Sequence, residues 1–236
     1  MKSLSEAVRV YPHDKWTGVY VVELEDGSLR IATKNLVPGQ RVYGERLFRY
    51  GDAEYREWNP YRSKLAGALL KGLEELPVRE GDRILYLGIA SGTTASHISD
   101  IIGPSGVIYG VEFAPRVLRD LLVVVKDRKN INPILADARF PEKYRFLVEN
   151  VRGLYADIAQ PDQAAIVVRN ARLFLENGGY LLLAIKARSI DVTLEPSDVY
   201  KKEIETLENG GFEIVDVVHL DPFDRDHAMV YARYKR

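Results

Sequence analysis

The stretch YLGIASGTTASHISDIIG, residues 86–103, joins an apolar, strand-like segment to a helical pattern through a glycine-containing turn. Gly88 and Gly92 do not complete the G-x-G-x-x-G sequence that binds dinucleotide phosphates, because position 90 is alanine. The stretch also lacks the Gly-Lys-Ser/Thr sequence that cradles a triphosphate. The turn therefore favours a ligand that carries no phosphate.

The chain around this stretch alternates between strand and helix patterns. Strands are predicted at 83–89, 107–113, 132–136, 153–158, 180–187, 212–219 and 228–234, and helices at 60–76, 93–102, 115–127, 141–149, 162–175 and 197–209. Such alternation indicates a mostly parallel α/β sheet with helices on both faces. The last connection, LDPFDRD, is too short for a helix, so the final strand is expected to be antiparallel. A seven-stranded sheet with an antiparallel last strand is the arrangement found in Rossmann-like class I methyltransferases, and we expect that fold class here.

A different pattern precedes this region. Residues 10–55 alternate polar and apolar positions between turn signals, which predicts a small antiparallel β domain. Asp26-Gly27 lies between two alternating runs and predicts a tight hairpin with positive φ at both positions. We expect an N-terminal β domain at 1–55 and a methyltransferase domain at 56–236.

Composition excludes several classes of function. The chain has 236 residues, no cysteine and four histidines, which argues against disulfides, a thiolate metal site or metal catalysis. Its longest apolar runs are far shorter than a membrane-spanning helix, and no signal peptide is apparent, so a cytoplasmic protein without a membrane partner is expected. A net charge of -1 indicates that the chain does not grip nucleic acid unaided.

The predicted strand ends suggest the ligand, because open α/β sheets bind ligands there. Glu112 ends the second strand, 24 positions after Gly88, where a carboxylate accepts hydrogen bonds from a ribose diol. Asp137 follows the third strand and is expected to accept from an adenine amine, while Ala138 leaves room for the ring. Taken singly, the glycine turn would be explained as an ordinary turn, and each acidic residue at a strand end as a helix N-cap. Their order along one βαβαβ unit favours S-adenosyl-L-methionine.

Further polar residues are expected at the same edge. The fourth strand ends in YADIAQP with Asp157 and Gln160, and the fifth ends at Lys186. Lys64 precedes the first strand, and His227 begins the last strand, which runs the opposite way. These groups suit activation of a weakly acidic ribose 2′-hydroxyl, through removal of its proton or stabilisation of its oxyanion. The sequence does not decide which lysine removes the proton and which stabilises the oxyanion. It also leaves open that the lysines are merely solvated, that His227 is structural and that Asp157 is the N-cap of the following helix. The remaining histidines are assigned structural roles: His13, His97 and His219.

Several motifs resemble one family closely. The segments VYGERLFRYGDAEYREWNPYRSKLAGALLKG, YLGIASGTTASHISDIIGPSGVIYGVEFAPR, ADARFPEKY, YADIAQPDQA and AIKARSIDV are similar to fibrillarin, the methyltransferase of C/D box ribonucleoproteins. The resemblance implies guide-RNA-directed ribose 2′-O-methylation of ribosomal RNA and, in archaea, transfer RNA. It implies the catalytic residues Lys64, Asp157, Lys186 and His227. It implies a donor site made from Thr93, Thr94, Glu112, Phe113, Asp137, Ala138, Asp157 and Gln160. From the glycine turn itself we add Gly88, Ala90 and Gly92 to the expected donor site.

The resemblance also implies partners: a Nop-domain scaffold protein, a kink-turn-binding ribosomal-type protein, a C/D box guide RNA and the substrate RNA. Eukaryotic members carry a glycine- and arginine-rich N-terminal extension that this sequence does not show, so an archaeal type is expected. Cations expected near the site to position RNA are Arg56, Arg62, Lys64, Arg139, Lys186, Arg188 and Arg225. The alternatives are a methyltransferase of a protein or small molecule, and a non-catalytic assembly subunit.

Overall fold

The chain forms two β sheets, and helices accompany the second. The computed structural model describes residues 5–190, 193 and 195–236, so residues 1–4 of the predicted first domain lie outside it. The first sheet contains β1 Ser5–Glu6, β2 Arg9–Pro12, β3 Val19–Glu23, β4 Leu29–Lys34, β5 Leu47–Tyr50 and β6 Ala53–Glu57. The second contains β7 Arg83–Leu87, β8 Val107–Glu112, β9 Ile131–Leu135, β10 Val151–Ala156, β11 Leu175–Lys186, β12 Phe212–His219 and β13 His227–Tyr234. The helices are α1 Lys64–Leu70, α2 Thr93–Ile102, α3 Pro115–Val125, a 3₁₀ helix Pro141–Leu147, α4 Gln163–Phe174, α5 Ala187–Ile190 and α6 Pro196–Asn209.

The second sheet confirms the predicted α/β fold. Its seven strands lie in the order β12-β13-β11-β10-β7-β8-β9. The pairs that join β11, β10, β7, β8 and β9 are parallel, and β13 pairs antiparallel with both β11 and β12. Lys186 at the end of β11 is the register partner of His227 at the start of β13. The reversed last strand therefore brings His227 to the edge where the parallel strands end.

The first sheet departs from the prediction in two details. Its strands follow the order β1-β5-β6-β4-β3-β2, and the pair β1–β5 is parallel rather than antiparallel. The β3–β4 hairpin is present, but of the two turn residues only Gly27 has positive φ, at 76°. Asp26 instead accepts a hydrogen bond from the Ser28 N–H through Oδ1 at 2.9 Å, which closes the turn with its side chain.

Three predicted elements have different limits. Helix α1 is much shorter than 60–76, because Gly72 with φ of 108° follows it and the chain continues without regular structure to β7. The helix predicted at 141–149 is a 3₁₀ helix, interrupted by non-helical angles at Tyr144. Strand β11 begins at Leu175, five residues before the predicted start at 180, since the strand continues directly from α4. These limits reflect tertiary packing that periodicity does not encode.

Apolar side chains fill both faces of the second sheet. On one face lie Tyr86, Tyr155, Leu182 and Met229, packed with α1, α2 and residues of the first sheet. On the other lie Leu85, Leu154, Leu183 and Val230, packed with α4 and α6. In the part of the chain that the structure describes, no helix is both long and apolar enough to cross a membrane. No cluster of His, Asp or Glu suited to a metal ion occurs among the same residues.

A buried charge cluster joins the first sheet to α2. Arg56 on β6 is fully buried and donates to Asp100 Oδ2 at 2.9 Å and through Nε to Glu45 Oε1 at 2.7 Å. Arg128 donates to Asp100 Oδ1 at 2.6 Å. The placement of Arg56 among the RNA-facing cations was therefore wrong. Burial raises the cost of any unpaired charge, and here each guanidinium meets a carboxylate.

His97 lies beside this cluster and has the structural role expected of it. Its ring is fully buried, stacks on Trp58 and exchanges hydrogen bonds of 2.8 Å with Thr33 Oγ1 and with the Tyr43 hydroxyl. Burial first, and then the charges of Arg56 and Arg128, hold the pKa of His97 well below its usual value. The imidazole is therefore neutral and serves as a hydrogen-bonding link between α2 and the first sheet.

We expect Arg56→Ala to lower the free energy of unfolding by about 3–5 kcal/mol, because it leaves the Glu45 and Asp100 carboxylates buried with fewer partners. Arg169→Ala is the matched control, since Arg169 pairs with Asp162 at 3.0 Å and both side chains are exposed, and it should cost less than about 1 kcal/mol. Denaturant unfolding of both variants measures the difference. Equal losses would show that the buried cluster contributes no more than a surface pair.

Candidate active site

The carboxyl ends of the parallel strands surround a cleft of about 260 Å³. We call it the long cleft. It is lined by Gly88, Ala90, Val111, Glu112, Phe113, Ala136, Asp137, Ala138, Arg139, Asp157, Ile158, Ala159, Gln160, Ile166 and Lys186. The predicted strand-end residues Glu112, Asp137, Asp157 and Lys186 are thus brought together at one edge of the sheet.

A smaller, polar pocket of about 100 Å³ shares one wall with the long cleft. We call it the small pocket. Its lining is Pro60, Tyr61, Arg62, Ser63, Lys64, Thr94, Asp157, Phe223 and Asp224. Asp157 lines both cavities. A group bound on one side of this carboxylate therefore lies next to a group bound on the other.

Asp157 holds two lysines that come from distant parts of the chain. Lys64 Nζ donates to Oδ2 at 3.1 Å, and Lys186 Nζ lies 2.8 Å from Oδ1 as an ion pair. Lys186 Nζ also lies 3.4 Å from the main-chain oxygen of Asp157. Burial alone would raise the pKa of Asp157, but the two ammonium groups outweigh it and the pKa lies below its usual value. The carboxylate is therefore ionised and fixes both cations. Asp157 is not the N-cap of α4, a position that Asp162 occupies.

Local structure explains the position of Lys64. It is the first residue of α1, and the preceding Ser63 accepts from Ala66 N–H at 3.4 Å as the N-cap. Ser63 Oγ also accepts from Trp58 Nε1 at 2.9 Å and bonds to Thr94 Oγ1 at 2.9 Å. These bonds tie the start of α1 to the start of α2, so Lys64 projects from a fixed point.

His227 reaches this group through a residue that sequence reasoning missed. Its Nδ1 lies 3.0 Å from Asp224 Oδ1, and Asp224 Oδ2 lies 3.6 Å from Lys64 Nζ. Asp224 is in the connection between β12 and β13, where the acid-rich sequence LDPFDRD was a signal for chemistry as well as for a short loop. These ionisable side chains form one chain of contacts, Lys186–Asp157–Lys64–Asp224–His227.

The glycine turn fits closely against the end of β10. Gly88 has φ of 75°, and a Cβ at this position would lie 2.5 Å from the main-chain oxygen of Asp157. Ala90 also has positive φ, 51°, which is uncommon for a residue with a side chain. Its N–H donates to Glu112 Oε2 at 3.0 Å, while Oε1 accepts from Ala114 N–H at 2.8 Å. Glu112 therefore holds the turn in place, with lone pairs left on both oxygens.

The lining of the long cleft also includes Asp137, Ala138, Phe113 and Gln160. Asp137 accepts from the Arg139 guanidinium, with Nη2 at 2.7 Å, and hydrogen bonds from Arg139 are the largest cause that lowers its pKa. Phe113 is 68% exposed. An exposed aromatic residue and an ionised carboxylate in the lining of one cleft suit a heterocycle that stacks and donates a hydrogen bond.

Three predicted donor-site residues lie elsewhere. Gly92 and Thr93 begin α2 and are not part of the cleft lining, and Thr94 lines the small pocket beside Lys64. Sequence reasoning also missed Gln163, which is fully buried. It donates to the Ile158 carbonyl and accepts from the Lys186 N–H at 3.2 Å, so it ties the loop after β10 to the end of β11.

The donor set of the long cleft fits the ligand expected from the sequence. Among its lining residues, Glu112 offers a carboxylate beside the glycine turn for a diol, and Asp137 offers a second carboxylate for an amine. The cations that line it, Arg139 and Lys186, are paired with Asp137 and Asp157. This arrangement suits a ribose and adenine without phosphates.

Comparison with known proteins finds a matching family model, similar sequences and similar solved structures. The family model described as Fibrillarin matches residues 10–236. The fibrillarin-like rRNA/tRNA 2′-O-methyltransferase of Aeropyrum pernix is 80% identical over 231 residues, 98% of this chain and 99% of that protein. The crystal structure of Aeropyrum pernix fibrillarin with natively bound S-adenosyl-L-methionine has a TM-score of 0.92 and 81% identity, covering 97% of this chain and 99% of that chain. A fibrillarin/Nop5p complex structure has a TM-score of 0.83 and 42% identity, covering 94% of this chain and 99% of that chain.

We expect Gly88→Ala to disturb the cleft more than its backbone angle alone predicts. Gly27→Ala is the matched control, since Gly27 has φ of 76° but no atom within 4 Å of the point that a Cβ would occupy, so it reports strain of about 1–2 kcal/mol. Gly88→Ala adds the clash with Asp157, a further cost of about 1–3 kcal/mol. Denaturant unfolding measures both. If the two variants lose the same stability, the close approach of the turn to β10 is wrong.

Proposed function

The chain belongs to the fibrillarin family, and we propose that it methylates ribose 2′-hydroxyls of ribosomal and transfer RNA as the catalytic subunit of a guide-RNA-directed C/D box ribonucleoprotein. It is an S-adenosyl-L-methionine-dependent RNA 2′-O-methyltransferase. The observation that carries the proposal is that Asp157 lines both the long cleft and the small pocket. One carboxylate with two lysines separates a donor site from an acceptor site.

The long cleft is the donor site. Glu112 receives the ribose diol at the glycine turn, and Asp137 with Ala138 receives adenine. When bound, S-adenosyl-L-methionine supplies an electrophilic methyl group on a sulfonium. The Asp157 carboxylate, at the end of the cleft nearest the small pocket, favours a positive ligand there.

The small pocket is the acceptor site for one ribose hydroxyl. Its polar wall is formed by Lys64, Asp157 and Asp224, and its outer wall by the rings of Tyr61 and Phe223, whose centroids are 5.1 Å apart. The ammonium groups of Lys64 and Lys186 stabilise negative charge on the attacking oxygen, since they are fixed by Asp157 and shielded from bulk water. An RNA hydroxyl fits this pocket, and the flanking Arg62 is placed to meet a phosphate.

Selection of the target nucleotide is proposed to come from partners. A net charge of -1 provides few phosphate contacts, and affinity for RNA rises with the number of phosphates neutralised. The burial of Arg56 removes one more cation from that number. The fibrillarin/Nop5p complex of a relative supports a Nop-domain scaffold. A kink-turn-binding protein and a C/D box guide RNA complete the proposed assembly.

We expect Glu112→Ala to weaken S-adenosyl-L-methionine binding, because two ribose hydroxyls lose their acceptor at about 1–3 kcal/mol each. Part of the loss arises because Ala90 N–H and Ala114 N–H also lose their acceptor. Titration calorimetry on the folded variant measures the affinity. Glu208→Ala, on the exposed surface of α6, is the control and should bind as the wild type does. Unchanged affinity in Glu112→Ala would remove Glu112 from the donor site.

We expect the full assembly to methylate RNA at least about tenfold faster than the chain alone, because phosphate contacts and base pairing come from the partners. The measurement is transfer of labelled methyl to a guide-complementary RNA, with scaffold protein, kink-turn-binding protein and guide RNA added one at a time. A substrate that carries a 2′-deoxy target nucleotide is the control and should stay unlabelled. If the isolated chain reaches the same rate and site, the dependence on partners is wrong. If label enters protein instead, the acceptor class is wrong.

A further inference from the structure

The connection between β12 and β13 places one further ionisable residue, Asp224, at the small pocket. Asp224 lines the small pocket, and its two oxygens face different neighbours. Oδ1 lies 3.0 Å from His227 Nδ1, and Oδ2 lies 3.6 Å from Lys64 Nζ. Its side chain is 36% exposed, so the carboxylate is open to the pocket while it contacts both groups.

The surroundings of His227 Nδ1 determine which ring nitrogen carries the hydrogen. Nδ1 lies 2.6 Å from the main-chain oxygen of Arg225 and 3.0 Å from Asp224 Oδ1. A carbonyl and a carboxylate oxygen only accept, so Nδ1 must be the donor. In the neutral ring the lone pair is then on Nε2. The His227 side chain is 19% exposed, and among the residues that the structure describes no group is hydrogen-bonded to Nε2.

The other charged groups at the pocket are poorly suited to accept a proton. Asp157 has both oxygens engaged by lysines and is stabilised as a carboxylate. The ammonium groups of Lys64 and Lys186, paired with Asp157, have no lone pair. An imidazole with a free Nε2 is the remaining basic group of the chain Lys186–Asp157–Lys64–Asp224–His227.

We propose that Asp224 is a positioning residue that holds His227 with Nδ1 protonated, so that Nε2 accepts the proton of the ribose 2′-hydroxyl. The inference rests on the proposed function. The hydroxyl oxygen forms its bond to the methyl carbon, the electron pair of the broken carbon–sulfur bond stays on sulfur, and the proton passes to Nε2. The imidazolium that results is stabilised by the Asp224 carboxylate, which lies on the opposite side of the ring from Nε2.

The kinetic test uses Asp224→Asn, which keeps the shape and an accepting oxygen but removes the charge. In the assembled complex with guide RNA, we expect a single-turnover rate at least about tenfold below that of the wild type, as for loss of support to a general base. Affinity for S-adenosyl-L-methionine should stay within about twofold, because Asp224 does not line the long cleft. Asp221→Asn, an exposed acid-to-amide change in the same connection, is the matched control and should keep the wild-type rate. A wild-type rate for Asp224→Asn overturns the proposal.

A double-mutant cycle separates positioning from a structural effect. In the His227→Ala background, Asp224→Asn should reduce the rate by less than about threefold, because the group through which Asp224 acts is gone. Asp224→Glu, which restores the carboxylate, should recover most of the rate. The same tenfold loss with and without His227, or no rescue by Glu, overturns the proposal.

Nitrogen NMR of the histidine rings supplies a readout that does not depend on turnover. The His227 signals, assigned by their loss in His227→Ala, should show the Nδ1-protonated neutral form in the wild-type protein. An Nε2-protonated ring overturns the proposal whatever the rates are. A wild-type assembly that transfers no methyl group to guide-complementary RNA contradicts the proposed function instead, and the ring measurement still decides the state of His227.

Discussion

The buried ion pair between Arg56 and Asp100 is the constraint on which the rest of the molecule depends. It joins β6 of the first sheet to α2, and α2 begins at the glycine turn. Thr33 Oγ1 and Leu36 N–H also donate to Asp100, at 2.7 and 2.9 Å. The carboxylate therefore binds β4, β6 and the loop after β4. The first sheet therefore fixes the position of α2, which begins at the glycine turn. A shift of either partner would move the start of α2, and with it one wall of the small pocket.

The ionisable side chains of the candidate active site are held by strand ends, a helix start and one short connection. Asp157 and Lys186 lie at the ends of neighbouring parallel strands, where the sheet fixes their separation. Lys64 lies at a capped helix start, and Asp224 lies in a short connection between two paired strands. None of these groups depends on a long loop, so the four charged side chains are held in fixed positions relative to one another.

The strand-end residues could be predicted from the sequence because strand order and direction place them by geometry alone. Glu112, Asp137 and Lys186 are examples, since each follows an apolar run whose end must lie at the same edge. Arg56 could not be predicted in this way, because alternation along β6 does not reveal that α2 covers one of its faces. Asp224 was missed for a related reason: its partners Lys64 and His227 become neighbours only when the last two strands pair and α1 packs beneath them. Hydrophobic periodicity predicts the strands and helices, but it does not predict contacts between segments that are distant in the sequence.

The reversed direction of β13 also sets the order in which the site is completed during synthesis. The lining of the long cleft comes from segments that end at Lys186, so the ribosome produces all of it before the last two strands exist. Asp224 and His227 emerge afterwards, and Asp224 takes its place in the small pocket, with His227 beside it, only when β13 lies between β11 and β12. A nascent chain can thus contain the whole lining of the long cleft while it still lacks Asp224 and His227.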